Sequence, residues 1–236
     1  MFAEFLNRDE FYDKYMSILA TRMAIGNMEM ESPPGTISEK YMDILNNMEA
    51  FTNLINSDIE RLTPDDIKKC ANIINDHIFD GFRRTTVTVR KAKNFFPIPA
   101  YMVIPQMYNI INNYYNVWNE LPIYLKEAML HIELVRAQPF EDGNKRTARI
   151  LTNYNLCKQN KAPVIISGCE TDKYFAFIDN YDADGFAKFL EEKSRKELEV
   201  MLELYMKICG DDFFLTNTEE QENSIPYVYK RTFKNQ

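Results

Sequence analysis

The chain has 236 residues, 45% of them hydrophobic, with 28 Lys+Arg against 35 Asp+Glu for a formal net charge of −7. That length supports a sizeable core, and the acidic balance argues against broad binding to nucleic acid or to an anionic membrane. The seven glycines, at 26, 35, 81, 143, 168, 185 and 210, form neither a GxGxxG fingerprint nor a Walker-type loop; two histidines and four cysteines without a CxxC pair give no zinc-site spacing.

The start, MFAEFLNRDEFYDKYM, carries acids where a secretory signal needs a basic stretch and an apolar run. The longest apolar run, 95–105, is broken by prolines and far short of the ~20 residues that span a bilayer. A soluble cytoplasmic protein with no membrane partner is expected. Helical periodicity predicts helices near 9–24, 36–56 and 64–79. Thr36 with Glu39 and Ser57 with Glu60 have capping-box spacing, and Thr63 precedes a first-turn Pro64. Gly26 reads as a helix end with ordinary C-cap chemistry.

From 85 to 104 the texture changes, with a β-branched run at 85–89 and Pro97 and Pro99 beyond it, which predicts a short hairpin or extended flap. Pro105 opens a helix to about 119, and Pro122 opens another in which Leu125, Met129, Ile132 and Val135 form one apolar stripe. After a polar loop at 138–143, helicity resumes at Asn144 and Pro163 ends it. Helices near 171–180 and 184–208 and a polar tail complete a mostly α chain.

The stretch richest in chemistry reads Gln138-Pro139-Phe140-Glu141-Asp142-Gly143-Asn144-Lys145-Arg146-Thr147-Ala148-Arg149. Free N–H groups at a helix N-terminus form an anion site, to which Lys145, Arg146 and Arg149 add positive charge. Asp142 is placed to hold Mg²⁺ against phosphates. An ordinary loop with Gly143 in a turn and a basic solvated helix face satisfies the same residues.

This segment resembles the Fic family motif, H-P-F-x-(D/E)-G-N-(G/K)-R-x-x-R, at every defined position except the first, where Gln138 replaces histidine. Gly81-Phe82-Arg83-Arg84 resembles the arginine-containing approach to the Fic flap, and Ala162-Pro163-Val164 the turn after the motif helix. The resemblance implies an all-α, Fic-type helical core with a short β-hairpin flap and extra N-terminal helices, which binds ATP with Mg²⁺ and transfers AMP to a hydroxyl of a target protein. It implies Asp142 for Mg²⁺, Gly143, Asn144 and Lys145 around the phosphates, Arg146 and Arg149 on the outer phosphates, and Phe140 as a core anchor. A target segment would dock at the flap near 85–104, with no nucleic-acid partner; homo-oligomerisation stays open.

In that family the motif histidine is the general base, so Gln138 and Arg146 stand at the catalytic positions. Glutamine hydrogen-bonds a hydroxyl but cannot take its proton near neutral pH, a loss of ~10²–10⁴ in rate. His131 and His77 read as structural residues. Lys145 is shared with the Doc-type branch, which transfers the γ-phosphoryl group, whereas Gly143 follows the AMP-transferring pattern. A non-catalytic, nucleotide-dependent binding module is a further reading.

Thr21-Arg22-Met23-Ala24-Ile25-Gly26-Asn27 resembles the family's inhibitory helix, (S/T)-x-x-x-E-(G/N), with Ile25 where the glutamate belongs. Thr218-Glu219-Glu220-Gln221-Glu222-Asn223 is a second formal match. The expected organisation is a degenerate inhibitory segment at 1–35, a Fic domain at 36–208 and a polar tail at 209–236.

Overall fold

The computed structural model describes residues 9–31, 36–78, 81–89 and 91–209. Eight α-helices follow in chain order: α1 (Asp9–Glu31), α2 (Ile37–Ile55), α3 (Pro64–Ile74), α4 (Val103–Asn112), α5 (Ile123–Ala137), α6 (Asn144–Lys158), α7 (Thr171–Asp179) and α8 (Ala183–Cys209). The fold is all-α, and no described helix is long and apolar enough to cross a membrane. The residues from 210 on, which include the match at 218–223, lie outside the described residues.

Local signals start the helices. Thr36 accepts the Glu39 N–H at 3.2 Å while Glu39 accepts the Thr36 N–H at 2.7 Å, a reciprocal cap on α2. Thr63 and Asp66 do the same for α3, with Pro64 in its first turn. The Ser57 and Glu60 pair, expected to open a helix, does not: Ser57 Oγ turns back to Leu54 O (2.6 Å) just after the end of α2. The third helix ends at Ile74 rather than near 79, because Asp76 and His77 take φ of 52° and 57°.

α5 is the central helix, packed against both α6 and α8, while α1 packs on α2. Burial on α5 extends well beyond the expected stripe to Ala128, Leu130, Leu134, Glu127 and His131. A helix hydrophobic around most of its girth belongs in a core.

Gly26 is not a helix end: α1 runs on to Glu31, and a Cβ at Gly26 would lie 2.6 Å from Ile166 O. The glycine is there for close approach of two backbones.

The expected β-hairpin is not formed: no strand occurs among the described residues. Residues 85–89 and 91–99 form no ladder, and a turn bond runs from Ala92 N–H to Val89 O (3.0 Å). Pro97 and Pro99 have no N–H to give, and Arg83 stands between the arms, donating to Thr85 O (2.7 Å) on one and to Ile98 O on the other. The far arm is pinned to the core: Asp179 accepts the N–H groups of Lys93 (2.8 Å) and Asn94 (3.0 Å), and Arg136 lies 4.6 Å over the Phe95 ring.

Candidate active site

The polar loop between α5 and α6 is fixed by its own side chains. Gln138 ends α5 in a left-handed conformation (φ 48°), its Nε2 donating to Val135 O at 2.6 Å and its Oε1 accepting from Asn144 Nδ2 at 3.0 Å. Asn144 also accepts the Phe140 N–H (2.8 Å) and donates to Phe140 O (2.9 Å), closing the loop on itself. Phe140 is buried and stacks on Phe82 at 5.5 Å.

Gly143 has φ 77°, and a Cβ there would meet the Asn75 amide at 2.9 Å. Asn75 needs that place, because its Nδ2 donates to Asp142 O at 3.0 Å. The first intrahelical bond of α6 runs from Thr147 N–H to Gly143 O (2.8 Å), so the N–H groups of residues 144–146 form the positive end of the helix.

Three cations project from this first stretch of α6, and carboxylates from other elements already meet them. Lys145 Nζ lies 2.6 Å from Glu31 Oε2, and Arg149 Nη2 lies 2.9 Å from Glu31 Oε1. Arg149 Nε donates to Asn27 Oδ1 (2.5 Å), and Asn27 is oriented by its own bond to Asn47 Oδ1 (2.9 Å). Arg146 pairs with Asp43 of α2, with Asp142 Oδ2 (2.9 Å), and donates to Asn75 Oδ1 (3.3 Å).

Burial alone would raise the Glu31 carboxyl, but Arg149 and Lys145 outweigh it and hold Glu31 down at about 2. The fit is incomplete at Arg149 Nη1 and Asp43 Oδ2, which are buried without a hydrogen-bond partner. A cavity of about 170 Å³ opens in front of the loop, lined by Glu31, Val87, Gln138, Asp142, Lys145 and Arg146 among others.

Below the loop, His131 is fully enclosed between Thr152 Oγ1 (2.9 Å) and Tyr174 Oη (2.8 Å). Burial, helped by Arg149, pushes its pKa down to about 3, so it stays neutral and structural. Arg83 is the joint between loop and flap: its Nε donates to Gln138 O at 2.5 Å, in addition to its bonds to the flap arms. Glu141 adds a second tie by accepting from Thr85 Oγ1 at 2.8 Å.

The Fic/DOC family profile matches residues 61–156, which hold the loop, the flap and α6 almost to its end. The chain contains a Fic/DOC family domain. The Fic domain and its surroundings are 27% identical over 233 residues to protein adenylyltransferase Fic of Aedes aegypti, covering 92% of this chain and 41% of that protein. The chain thus spans about two fifths of the length of this curated relative. In fold it is similar to a Fic-domain signalling protein of Bacteroides thetaiotaomicron, with a TM-score of 0.75, 14% identity, and 87% and 95% of the two chains covered. It is also similar to IbpAFic2, solved in complex with adenylylated Cdc42, with a TM-score of 0.54, 16% identity, and 79% and 70% covered.

The Fic domain brings together Gln138, Asp142, Gly143, Asn144, Lys145, Arg146 and Arg149, all expected at one site. Two of them are turned inward: both polar ends of the Gln138 and Asn144 amides serve the loop itself. Reading the sequence missed Asn27, Glu31, Asp43 and Asn75. Asn27 and Glu31 sit four apart, hence on one helix face, but that signal counts only once α1 continues past Gly26.

Proposed function

We propose that this chain is a nucleotide-binding Fic domain of the protein adenylyltransferase type, closed by its own N-terminal helix and weakened in catalysis by Gln138. The observation that carries this reading is the charge pairing at the start of α6: Lys145, Arg146 and Arg149 converge beside the free N–H groups of a helix N-terminus, and the carboxylates of Glu31 and Asp43 stand where phosphate oxygens would. Arginine presents a fork suited to either anion. The orphaned Arg149 Nη1 is a donor with capacity for a further oxygen. The curated relative is an adenylyltransferase, and IbpAFic2 was solved with an adenylylated partner.

In AMP transfer a target hydroxyl oxygen bonds to the α-phosphorus of ATP, the bond to the β-phosphate breaks, and the hydroxyl proton must be taken up. The N–H groups of residues 144–146 with Lys145 orient the phosphates, and Arg146 and Arg149 grip the outer ones once Asp43 and Glu31 yield. Asp142, exposed at the cavity mouth, offers hard carboxylate oxygen of the kind Mg²⁺ takes together with phosphates. The metal would supply neutralisation of phosphate charge. Residues 87–89 would lay the target backbone beside the cavity as an added strand.

Gln138 cannot take the proton. A left-handed backbone is one that histidine tolerates better than most residues, so Gln138→His should fold. The Glu31→Ala/Gln138→His double variant, assayed with α-labelled and γ-labelled ATP, is expected to label a protein substrate from the α-label by ~10²–10⁴ more than Glu31→Ala alone. Label from γ only would identify phosphoryl transfer instead, and label from neither would leave a binding module.

A separate observation favours AMP transfer over the Doc-type reading. Gly143 cannot become the alanine of Doc-like motifs without a 2.9 Å contact on Asn75.

A further inference from the structure

At the root of the flap, beside Arg83, lies a second cavity of about 570 Å³ that none of the proposed chemistry uses. Lys68, Phe82, Arg83, Arg84, Tyr101 and Ile104 line it. Its outer wall carries large apolar side chains in water: Tyr101 is 79% exposed and Ile104 55%, and one turn further along α4 Tyr108 is 60% exposed. Ile104 and Tyr108, four apart, share one face of α4, and Tyr101 stands in the 3-10 turn just before it. A stripe of this kind beside a cavity marks an interaction surface.

Its charge selects the partner. No described residue pairs with Arg84, which is exposed at the rim, and Lys68 adds a second cation although Asp65 already sits 2.7 Å from it. In a chain of net charge −7 this is a local basic spot on an apolar wall. A nucleic acid would meet the repulsion of the remaining surface, whereas a short acidic protein segment gains the local pair without it.

We infer that this cavity is a docking site for a partner-protein segment that carries an apolar side chain flanked by carboxylates. The apolar side chain enters between Tyr101, Ile104 and Phe82, and a flanking carboxylate meets Arg84. Arg83 forms part of the cavity wall and bonds Gln138 O, so a bound segment would lie one residue away from the motif loop. Only the identity of the partner as a transferase target rests on the proposed function; the surface itself does not.

The test is an amide chemical-shift titration of the full chain at about 50 mM salt, where surface charge is weakly screened. The probe is the acetylated peptide Glu-Glu-Leu-Glu-Glu, with Lys-Lys-Leu-Lys-Lys as control. Saturable shifts at Arg84, Tyr101 and Ile104 with the acidic peptide only, weakened on the order of tenfold by Arg84→Glu and by Ile104→Asp, are expected. Three results would each overturn the site: no saturation, an equal response to the lysine peptide, or concentration-dependent broadening of the same amides without peptide, which would make a second copy of this chain the occupant. ATP with Mg²⁺, titrated separately, reports at Gly143 and Lys145. Peptide binding without an ATP response in either the parent chain or Glu31→Ala removes the nucleotide reading and leaves the docking site standing; an ATP response in either without peptide binding removes the docking site alone.

Discussion

Glu31 ties the site together at the level of single residues, since one carboxylate serves both Lys145 and Arg149. Its pKa of about 2 against an ordinary value of 4.5 corresponds to on the order of 3 kcal/mol of stability. Because the folded value is the lower one, this contribution is complete above about pH 4.5 and fades only as pH falls toward 2. The contact therefore stays formed throughout the neutral range.

Removing the carboxylate leaves a buried guanidinium unpaired, so Glu31→Ala should unfold about 2–4 kcal/mol more easily in urea, and ATP with Mg²⁺ should recover part of that loss. Gly143→Ala places a Cβ against Asn75 at a positive φ, and a loss of about 1–3 kcal/mol in the same assay is expected. Adding Asn75→Ala should remove the collision but not the backbone strain, so recovery would be partial. Full recovery would mean that φ 77° carries no strain.

At the scale of elements, α1 and the flap behave differently from what their sequences suggest, each for a local reason. The caps at Thr36 and Thr63, the loop after α5 and the polarity of α6 were all readable, because each depends on residues within four positions of one another. The length of α1 was not: Gly26 looks like a terminator in isolation, and only the Ile166 backbone beside it explains why a glycine sits mid-helix. Only because α1 continues past Gly26 do Asn27 and Glu31 share a helix face, and the acid absent at Ile25 is met by Glu31, six residues later.

The flap composition suits strands, yet its ladder is replaced by side-chain bonds from Arg83 and Asp179, which no period-two pattern reveals. Gly26→Ala should push α1 away from residue 166 and loosen the Glu31 contact. Faster amide exchange along residues 26–31, with tighter ATP binding, is the expected pair of results; unchanged exchange would mean that the close approach does not hold the helix.

Across the whole molecule, two buried groups on α5 give opposing pH responses. Burial pushes the Glu127 carboxyl up to about 7, despite hydrogen bonds from Tyr114, Asn155 and Gln159 that favour its charged form. Between about pH 4.5 and 7 the folded chain thus binds more protons at this group than the unfolded chain, and stability falls as pH rises. His131, held down at about 3, works in the other direction: between pH 3 and 6.5 the unfolded chain binds the extra proton and stability rises with pH.

The two contributions offset each other between about pH 4.5 and 6.5. Glu127→Gln should unmask the rising slope of His131, and its stability relative to the parent chain should increase by about 2 kcal/mol from pH 5 to 7.5, read by urea denaturation. A constant difference across that range would show that Glu127 is ionised in the fold throughout.

In the proposed function, Lys145, Arg146 and Arg149 form a nucleotide site that α1 and α2 occupy with their own carboxylates. Calorimetric titration of ATP with Mg²⁺ into the parent chain and into Glu31→Ala tests it directly. Tighter binding by the variant, by at least about tenfold or 1.4 kcal/mol, is the result predicted. Equal affinity in the two proteins, or no binding by either, would contradict it.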